Sequence, residues 1–260
     1  MNLEKKNSTV ERRKIILQEI NETGKVYVYD LSKSCNVSEV TIRNDLKQLE
    51  KKHLLIRARG GAIKPEGSVG LDYQLSEKDK LHSTEKAKIG KQASKLVKEH
   101  DTIIIDSGTT TMALAKNLEN VKEVTVICNA LNIISQLAQT KSVNLIVPGG
   151  YLRKSSSSLV GPLAEKNLQN LYVDKVFLGV DGFDTRHGIY TPNIEEAHFN
   201  EIMIEIAKEL IVLCDSSKFF RKSLAFICGI SKIRYVITDN GIPDEDRKRL
   251  EDAGIKVIIT

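Results

Sequence analysis

The sequence predicts an α/β protein with two domains, a small helical domain followed by a larger one built on a mostly parallel sheet. Of its 260 residues, 41% are apolar, which is enough to form two buried cores. Residues 1–64 contain 14 Lys and Arg against 8 Asp and Glu, a net charge of +6, whereas residues 65–260 contain 25 against 26. From residue 85 onward, apolar β-branched runs alternate with helical patterns. We therefore expect a basic domain that meets a polyanion and a near-neutral domain with a different role.

The first 64 residues have the pattern of three helices and a hairpin. Apolar residues recur at helical spacing from Thr9 to Ile20, and Gly24 is placed to end that helix. A short second helix is expected to begin after Asp30 and to run to about Cys35, and Ser38 is placed to cap a third helix. The run LLIRARGGAI at 54–63 then places a Gly-Gly turn between two short extended segments. This order of elements is typical of a winged helix-turn-helix.

The third helix is expected to have an apolar inner face and a mixed polar outer face. Ile42, Leu46 and Leu49 form one apolar stripe. The opposite face suits the major groove of DNA, because Arg can pair with guanine, Asn with adenine, a Val methyl with the thymine methyl and Lys with phosphate. A polar helix face is often only solvated, but the three helices and the hairpin favour DNA binding. The predicted DNA-binding residues are Ser38, Val40, Thr41, Arg43, Asn44, Lys47, Arg57 and Arg59.

A joint is predicted between the two domains. Residues 65–84 begin with Pro65, contain two glycines and continue in polar residues, as a linker or an exposed helix does. We expect a DNA-binding domain at 1–64, a linker at 65–84 and the second domain at 85–260.

The second domain is predicted to contain alternating strands and helices. Strands are expected at 102–106, 124–128, 143–147, 173–180, 209–214, 226–228, 235–238 and 256–260. Helices are expected at 85–98, 110–118, 130–139, 163–170, 195–208 and 244–253. Buried β-branched runs separated by helices predict a mostly parallel sheet that is covered on both faces.

Small and polar residues follow several of these strands, and such loops meet at one edge of a parallel sheet. In DSGTTT at 106–111 a strand ends and a helix begins, so backbone N–H groups and hydroxyls there are suited to a phosphate. The same residues would also serve as a simple helix cap. Sugar hydroxyls near Asp181 and a cation from Lys218 would complete a sugar-phosphate pocket. The candidate ligand-binding residues are Asp106, Ser107, Gly108, Thr109, Thr110, Thr111, Asn129, Gly149, Gly150, Asp181 and Lys218.

Several classes of protein are disfavoured. The four cysteines are far apart in sequence, so we expect them to be reduced and structural. His187 and His198 are the nearest approach to a metal site, and we expect no metal and no cofactor. No apolar run is long enough to span a bilayer, and the N-terminal residues are too polar for a secretory signal, so a cytoplasmic protein with no membrane partner is expected.

The run TIRNDLKQLEKKHLLIRARGGA at 41–62 resembles the signature of DeoR-type bacterial transcriptional regulators, TIRRDLxxLExxGLLxRxHGGA. Three positions depart from it: Asn44 replaces Arg, His53 replaces Gly and Arg59 replaces His. The change at Asn44 is expected to alter base preference without abolishing DNA binding. His53 lies where Gly would adopt a left-handed conformation that ends a helix.

The second domain also resembles the sensor domain of that family, through IDSGTTTMALA, ICNALNI, VPGGYLRKSSSSLVGP, VFLGVDGFD, GIYTPNIEEA and LCDSSKF. The resemblance implies a ribose-5-phosphate isomerase-like fold and a phosphorylated sugar as effector. It implies that the candidate residues above bind this effector together with Glu195 or Glu196. The expected function is repression of a carbohydrate utilisation operon. A dimer or tetramer is expected on double-stranded operator DNA, because symmetric operators need paired half-sites.

Two alternatives are open. A sugar-phosphate isomerase-like enzyme is suggested by residues 181–184, DGFD, which resemble the DGAD element of the isomerase. That enzyme has a lysine and a glycine-rich run after its carboxylates, and residues 185–194 contain neither, so we expect no catalysis. The other alternative is a DNA-binding scaffold with an inert C-terminal domain.

Overall fold

The computed structural model describes residues 9–51, 55–58, 60–63, 72–119, 121–219 and 221–260. The chain is divided into two units, Met1–Ser68 and Val69–Thr260. The second unit therefore includes most of the segment that the sequence suggests as a joint. Residues 75–79 of that segment are helical.

The N-terminal unit contains three helices and a small antiparallel sheet. Its elements are α1 (Thr9–Thr23), β1 (Lys25–Tyr27), α2 (Val28–Ser34), α3 (Glu39–Lys51), β2 (Ile56–Ala58) and β3 (Gly61–Ile63). The strand order is β1-β3-β2, with β2 and β3 forming the predicted hairpin and β1 an additional strand. The hydroxyl of Ser38 accepts a hydrogen bond from the backbone N–H of Thr41 at 3.2 Å, so Ser38 caps α3 as predicted. The winged helix-turn-helix is confirmed.

Two features fix α3 in this unit. Its apolar stripe of Ile42, Leu46 and Leu49 is buried in the core. Asp45, which is also buried, accepts hydrogen bonds from Arg12 Nε at 2.5 Å and Arg13 Nε at 2.8 Å. Apolar packing and a buried ion pair thus hold α3 against α1, and the opposite face of α3 remains exposed.

The second unit is an α/β domain. Its helices are α4 (Leu75–Asp79), α5 (Ser83–Ser94), α6 (Thr109–Ala115), α7 (Leu131–Leu137), α8 (Pro162–Leu168), α9 (Ile194–Glu205) and α10 (Asp244–Asp252). Its strands are β4 (Thr102–Ile105), β5 (Val124–Cys128), β6 (Val143–Ile146), β7 (Tyr151–Arg153), β8 (Ser158–Val160), β9 (Val173–Gly179), β10 (Gly182–Asp184), β11 (Gly188–Thr191), β12 (Ala207–Leu213), β13 (Ala225–Gly229), β14 (Ile233–Thr238) and β15 (Lys256–Ile259).

Seven of these strands form the predicted parallel sheet, in the order β15-β14-β12-β9-β4-β5-β6. Successive residues of a strand face opposite sides: Ile103 and Ile105 pack in one apolar cluster with α5, α6 and α7, and Ile104 packs in the other with α8, α9 and α10. The sheet is therefore covered on both faces, as its continuous apolar strands predict.

The prediction for residues 226–228 was correct in type but wrong in placement. They belong to β13, which pairs with β11 in a separate antiparallel sheet of order β10-β11-β13. The hairpin β7-β8 and the strands β10 and β11 were not predicted, because three- or four-residue strands have too few residues to show an alternation.

The four cysteines are buried and none forms a disulfide. No helix in the part of the chain that the structure describes is long and apolar enough to cross a membrane.

Candidate functional site

The exposed face of α3 displays the predicted DNA-binding side chains. Val40 is 62% exposed, although it is apolar, and Asn44 and Lys47 are also exposed. The Nη2 atom of Arg43 lies 2.5 Å from a carboxylate oxygen of Glu39, one turn earlier on the same helix. Both side chains of this pair are about half exposed. The pair is therefore weak enough for Arg43 to exchange Glu39 for a base edge or a phosphate.

The hairpin presents part of the expected second contact. Arg57 is exposed on β2, and its backbone N–H donates to the carboxylate of Glu50 at 3.0 Å, which ties the hairpin to α3. The predicted Arg59 lies outside the described residues. Sequence reasoning missed two residues on α2: Tyr29 is 57% exposed, and the Lys33 ammonium lies 4.3 Å from the centre of its ring. In a helix-turn-helix this helix crosses the DNA backbone, so an exposed lysine there is placed to meet phosphate.

The loops that follow β4, β5, β6, β9 and β12 belong to one edge of the sheet in the second unit, a region here called the crevice. In a parallel sheet these loops lie at the carboxyl edge, and β12, β9, β4 and β5 are neighbours in the sheet. The sheet brings Asp106 close to Gly179, the last residue of β9. Charge interactions link Asp106 to Glu196 and Asp181, and link Asp181 to Lys218. Four of the predicted residues therefore lie in one crevice.

Asp106 is a deeply buried carboxyl group of this crevice, with 4% of the residue exposed. Burial raises its pKa well above the usual value, and the negative charges of Glu196 and Asp181 raise it further. Hydrogen bonds from the backbone N–H groups of Ser107 and Gly179 oppose this change without cancelling it. The raised pKa shifts Asp106 toward its protonated form, which can donate a hydrogen bond as well as accept one.

The structure distinguishes between the two adjacent glutamates at the start of α9. Glu195 is exposed, whereas the side chain of Glu196 is only 12% exposed and faces the crevice. Glu196 accepts hydrogen bonds from Arg153 Nη1 at 2.7 Å and from the Thr191 hydroxyl at 3.2 Å. Asn193 fixes this arrangement, because its side-chain oxygen caps the helix by accepting from the backbone N–H of Glu196 at 2.9 Å.

Two lysines reach the crevice from the segment around α4 and from α5, and both were missed from the sequence. Lys78 Nζ lies 2.8 Å from the carboxylate of Asp181. Burial lowers the pKa of Lys78, but the charge of Asp181 and its hydrogen bond more than offset that effect and raise it. Lys86 is 6% exposed and donates to the backbone oxygen of Lys78 at 2.5 Å. Burial lowers the pKa of Lys86 to about 8.

Lys218 lies in a 3-10 turn, Ser216–Lys218, after β12. It is near two carboxylates, Asp181 and Asp215. Burial raises the pKa of both carboxyl groups, but Lys218 and the other nearby cations lower it by more, so both have a pKa below the usual value. The positive charge of Lys218 therefore stabilises the charged forms of both carboxylates.

The remaining predicted residues divide between structural roles and accessible groups. Thr110 and Thr111 are buried, and the Thr111 hydroxyl donates to the backbone oxygen of Gly108 at 3.1 Å, so both contribute to the start of α6. Thr109 is only partly buried and lines a cavity of about 240 Å³ together with Lys86. The hydroxyl of Ser107 faces the carboxylate of Asp106 at 3.4 Å.

Asn129 and the glycines of the next loop support the hairpin β7-β8. Asn129 Nδ2 donates to the backbone oxygen of Leu159 at 3.0 Å, while its buried Oδ1 atom has no hydrogen-bond partner among the described residues. A Cβ atom at Gly150 would lie 2.6 Å from the backbone oxygen of Val160, so this position requires glycine for packing. Gly149, with a φ of 76°, adopts the left-handed conformation of a turn.

Comparison with known proteins places both units in one family. The family model described as the DeoR-like helix-turn-helix domain matches residues 12–67. The model described as the DeoR C terminal sensor domain matches residues 81–240. The chain belongs to the DeoR family.

Relatives of known name are similar over nearly the whole DeoR-family chain. A protein of Escherichia coli O157:H7, named as a transcriptional repressor of the aga operon, is 39% identical over 96% of this chain and 94% of its own length. The HTH-type regulator YulB of Bacillus subtilis is 36% identical, over 95% of each chain. The HTH-type transcriptional regulator GlpR of Haloferax volcanii is 31% identical, over 95% of this chain and 96% of its own.

Among solved structures, the ribose 5-phosphate isomerase A of Methanocaldococcus jannaschii aligns with 52% of this chain and 54% of its own, at 22% identity and a TM-score of 0.39. Nothing about chemistry follows from a match of this size. The curated relatives are regulators, so this DeoR-family protein is a DNA-binding transcriptional regulator and not an isomerase-like enzyme.

Proposed function

We propose that this regulator represses a carbohydrate utilisation operon and that a phosphorylated sugar bound in the crevice controls it. The observation that carries the proposal is the alternation of cations and carboxylates along the carboxyl edge of the sheet. Asp181 pairs with Lys78 and is also near Lys218. Glu196 pairs with Arg153. Cations suit the phosphate and carboxylates suit the hydroxyls of a sugar, so both parts of the ligand have partners in one place.

The residues proposed to bind the effector follow from their position in the crevice. Asp106, Asp181 and Glu196 would bind sugar hydroxyls. Arg153 and Lys218 would bind the phosphate, and Thr109 beside Lys86 would line the neighbouring cavity. A role in shaping the loops is proposed for Thr110, Thr111, Gly149 and Gly150. Asn129 is proposed to accept a hydrogen bond from the effector through its buried Oδ1 atom. Glu195 is assigned no contact.

The proposed mechanism is linkage between the effector and DNA. An effector that binds one arrangement of the protein more tightly shifts the population that is competent to bind the operator. The name of the aga operon relative supports the repressor role. A dimer or tetramer is proposed, since one winged helix-turn-helix buries little surface on DNA. Because its target is chromosomal, the proposed location is the cytoplasm.

DNA reading is tested by Arg43→Ala against a matched control, Arg247→Ala. Each arginine is about half exposed and pairs with a glutamate one turn away on its own helix, Arg43 with Glu39 and Arg247 with Glu251. Neither substitution is expected to change stability by more than about 0.5 kcal/mol. In a gel-shift assay with its own upstream DNA, only Arg43→Ala should lose specific binding, and wild-type affinity should fall steeply with salt. Equal operator affinity of the two variants would show that α3 does not read the DNA.

The effector class is tested by thermal shift with a panel of sugar phosphates, each paired with its unphosphorylated sugar. A phosphorylated sugar should raise the unfolding temperature, and its sugar alone should not at the same concentration, because the free sugar has no phosphate to pair with the cations of the crevice. If no sugar phosphate stabilises the protein, or if the free sugars do so equally, the proposed effector class is wrong.

A further inference from the structure

The segment of residues 72–79, here called the strap, leads from the N-terminal unit into α4. Its first described residue, Asp72, follows Ser68, the end of the N-terminal unit, by four residues. The strap is held against the crevice at several points. Its Asp72 carboxylate pairs with Arg153, the backbone N–H of Leu75 donates to the backbone oxygen of Ser155 at 2.9 Å, and Lys78 pairs with Asp181 at 2.8 Å.

Arg153 is an unusual arginine because its side chain is only 11% exposed and its guanidinium lies between two carboxylates. One terminal nitrogen, Nη1, donates to Glu196 at 2.7 Å and to the Ser156 hydroxyl at 2.7 Å. The other, Nη2, donates to Asp72, whose Oδ2 atom also accepts from the Ser155 hydroxyl at 3.0 Å. Glu196 and Ser156 thus orient the guanidinium from the body of the domain, and only Asp72 belongs to the strap.

A guanidinium fixed in this way is a ready site for a tetrahedral or planar anion, since its parallel N–H groups fit phosphate and carboxylate oxygens alike. In this structure that place is filled by a carboxylate of the chain itself. Ser155, the second donor to Asp72, would serve a phosphate oxygen equally well. A phosphoryl group paired with the second N–H of Nη2 would lie against the Asp72 carboxylate, and the repulsion between the two anions favours replacement of Asp72.

We infer that Asp72 is an internal competitor of the effector: the phosphate of the ligand displaces it from Arg153 and releases the strap. The inference rests on the proposed function and adds to it the step by which binding in the crevice reaches the segment that leads to the DNA-binding unit. Because a phosphate and the Asp72 carboxylate at the same nitrogen would bring two negative charges into contact, effector binding and attachment of the strap oppose each other. Lys78, whose partner Asp181 is itself a proposed effector contact, would be released in the same step.

The test uses the full-length protein, with inorganic phosphate and ribose 5-phosphate as probes at constant ionic strength. Asp72→Asn keeps the size of the side chain and removes its charge. Glu77→Gln, an exposed residue of the same strap, is the matched control for a general change in charge. Removing a competitor raises the fraction of protein ready to bind, so Asp72→Asn should bind phosphate roughly three- to tenfold more tightly, and Glu77→Gln should not. Arg153→Lys should bind phosphate more weakly than the wild type.

A second measurement follows the strap without any ligand. Trypsin cleavage after Lys80, detected by mass spectrometry, should be several-fold faster in both Asp72→Asn and Arg153→Lys than in Glu77→Gln, because both variants detach the strap. Phosphate should accelerate cleavage of the wild type but add little in Asp72→Asn. A purely structural Asp72 would give the opposite result for binding, since a disturbed crevice binds phosphate less well.

The outcomes are separable. Equal or weaker phosphate binding by Asp72→Asn, or an equal gain in Glu77→Gln, overturns the competition and leaves the proposed effector class intact if sugar phosphates still stabilise the protein. If neither probe and no sugar phosphate binds the wild type or any variant, the proposed effector class is overturned, and the competition with it. Cleavage after Lys80 at the wild-type rate in both Asp72→Asn and Arg153→Lys overturns attachment of the strap by this pair.

Discussion

Asp45 determines how firmly α3 is held, and its removal is expected to unfold the N-terminal unit selectively. The residue is 2% exposed and binds Arg12, which is 7% exposed, and Arg13. Breaking a buried ion pair by removing the charge of one partner costs about 3–5 kcal/mol, because the other charge stays buried. A unit of this size has a total stability of roughly 3–9 kcal/mol. Asp45→Asn should therefore remove a large part of the stability of this unit.

The assay is differential scanning calorimetry of the full-length protein, with Arg43→Ala as the reference for an exposed ion pair. In a domain of this size 1 kcal/mol corresponds to about 4–8 °C, so Asp45→Asn should lower the transition of the N-terminal unit by more than about 10 °C. The transition of the sensor unit should stay in place. A decrease no larger than that of Arg43→Ala would mean that solvent screens the Asp45 pair and that apolar packing alone holds α3 to α1.

Two further predictions concern the crevice. Burial lowers the pKa of Lys86 from 10.5 to about 8, so the unfolded chain binds this proton more tightly than the folded chain does. Relative to Lys86→Met, the wild type should therefore gain up to about 3 kcal/mol of folding stability as the pH rises from 8 to 10.5. Urea unfolding at several pH values measures this difference. A stability difference that is constant over this range would contradict the burial of the Lys86 ammonium. Glu196→Gln should weaken binding of a stabilising sugar phosphate about tenfold or more in calorimetric titration, because it loses a charge that orients Arg153, whereas Glu195→Gln on the exposed side of the same helix turn should leave affinity within about twofold. Equal effects of the two substitutions would reject the assignment of Glu196 to the crevice.

The parts of the fold that the sequence predicts well have a strong local signal. The stripe of Ile42, Leu46 and Leu49 on α3 has the period of a helix, and runs such as TIII at 102–105 and VTVIC at 124–128 are continuous and β-branched. Such runs need burial on both faces, and a parallel sheet supplies it. Periodicity does not say which sheet a strand joins. FIC at 226–228 looks like another buried strand, but Phe226 is 48% exposed and belongs to the small antiparallel sheet.

The crevice was only partly predictable, because its ion pairs join residues far apart in sequence. The strand ends locate Asp106, Asp181 and Lys218, since a parallel sheet places all such ends at one edge. Arg153 and its partner Asp72 are separated by 81 positions, and no local pattern specifies that pairing. The side chains of neighbouring residues in a helix point about 100° apart, so only one of two adjacent glutamates can face the crevice. The sequence does not indicate whether that residue is Glu195 or Glu196.

The cations of the crevice have protein partners in this structure: Lys78 has Asp181, Arg153 has two carboxylates, and Lys86 has a backbone oxygen. An anionic ligand that takes the place of one of these partners frees a group that was previously held. A ligand that fills a cavity present equally in two arrangements has no differential affinity for them and shifts no equilibrium. These pairs lower the affinity for a phosphate, and their exchange is also what would let phosphate binding change the conformation of the protein. In a catalytic crevice prior occupation of this kind only opposes substrate binding, whereas in a regulator it couples ligand to conformation.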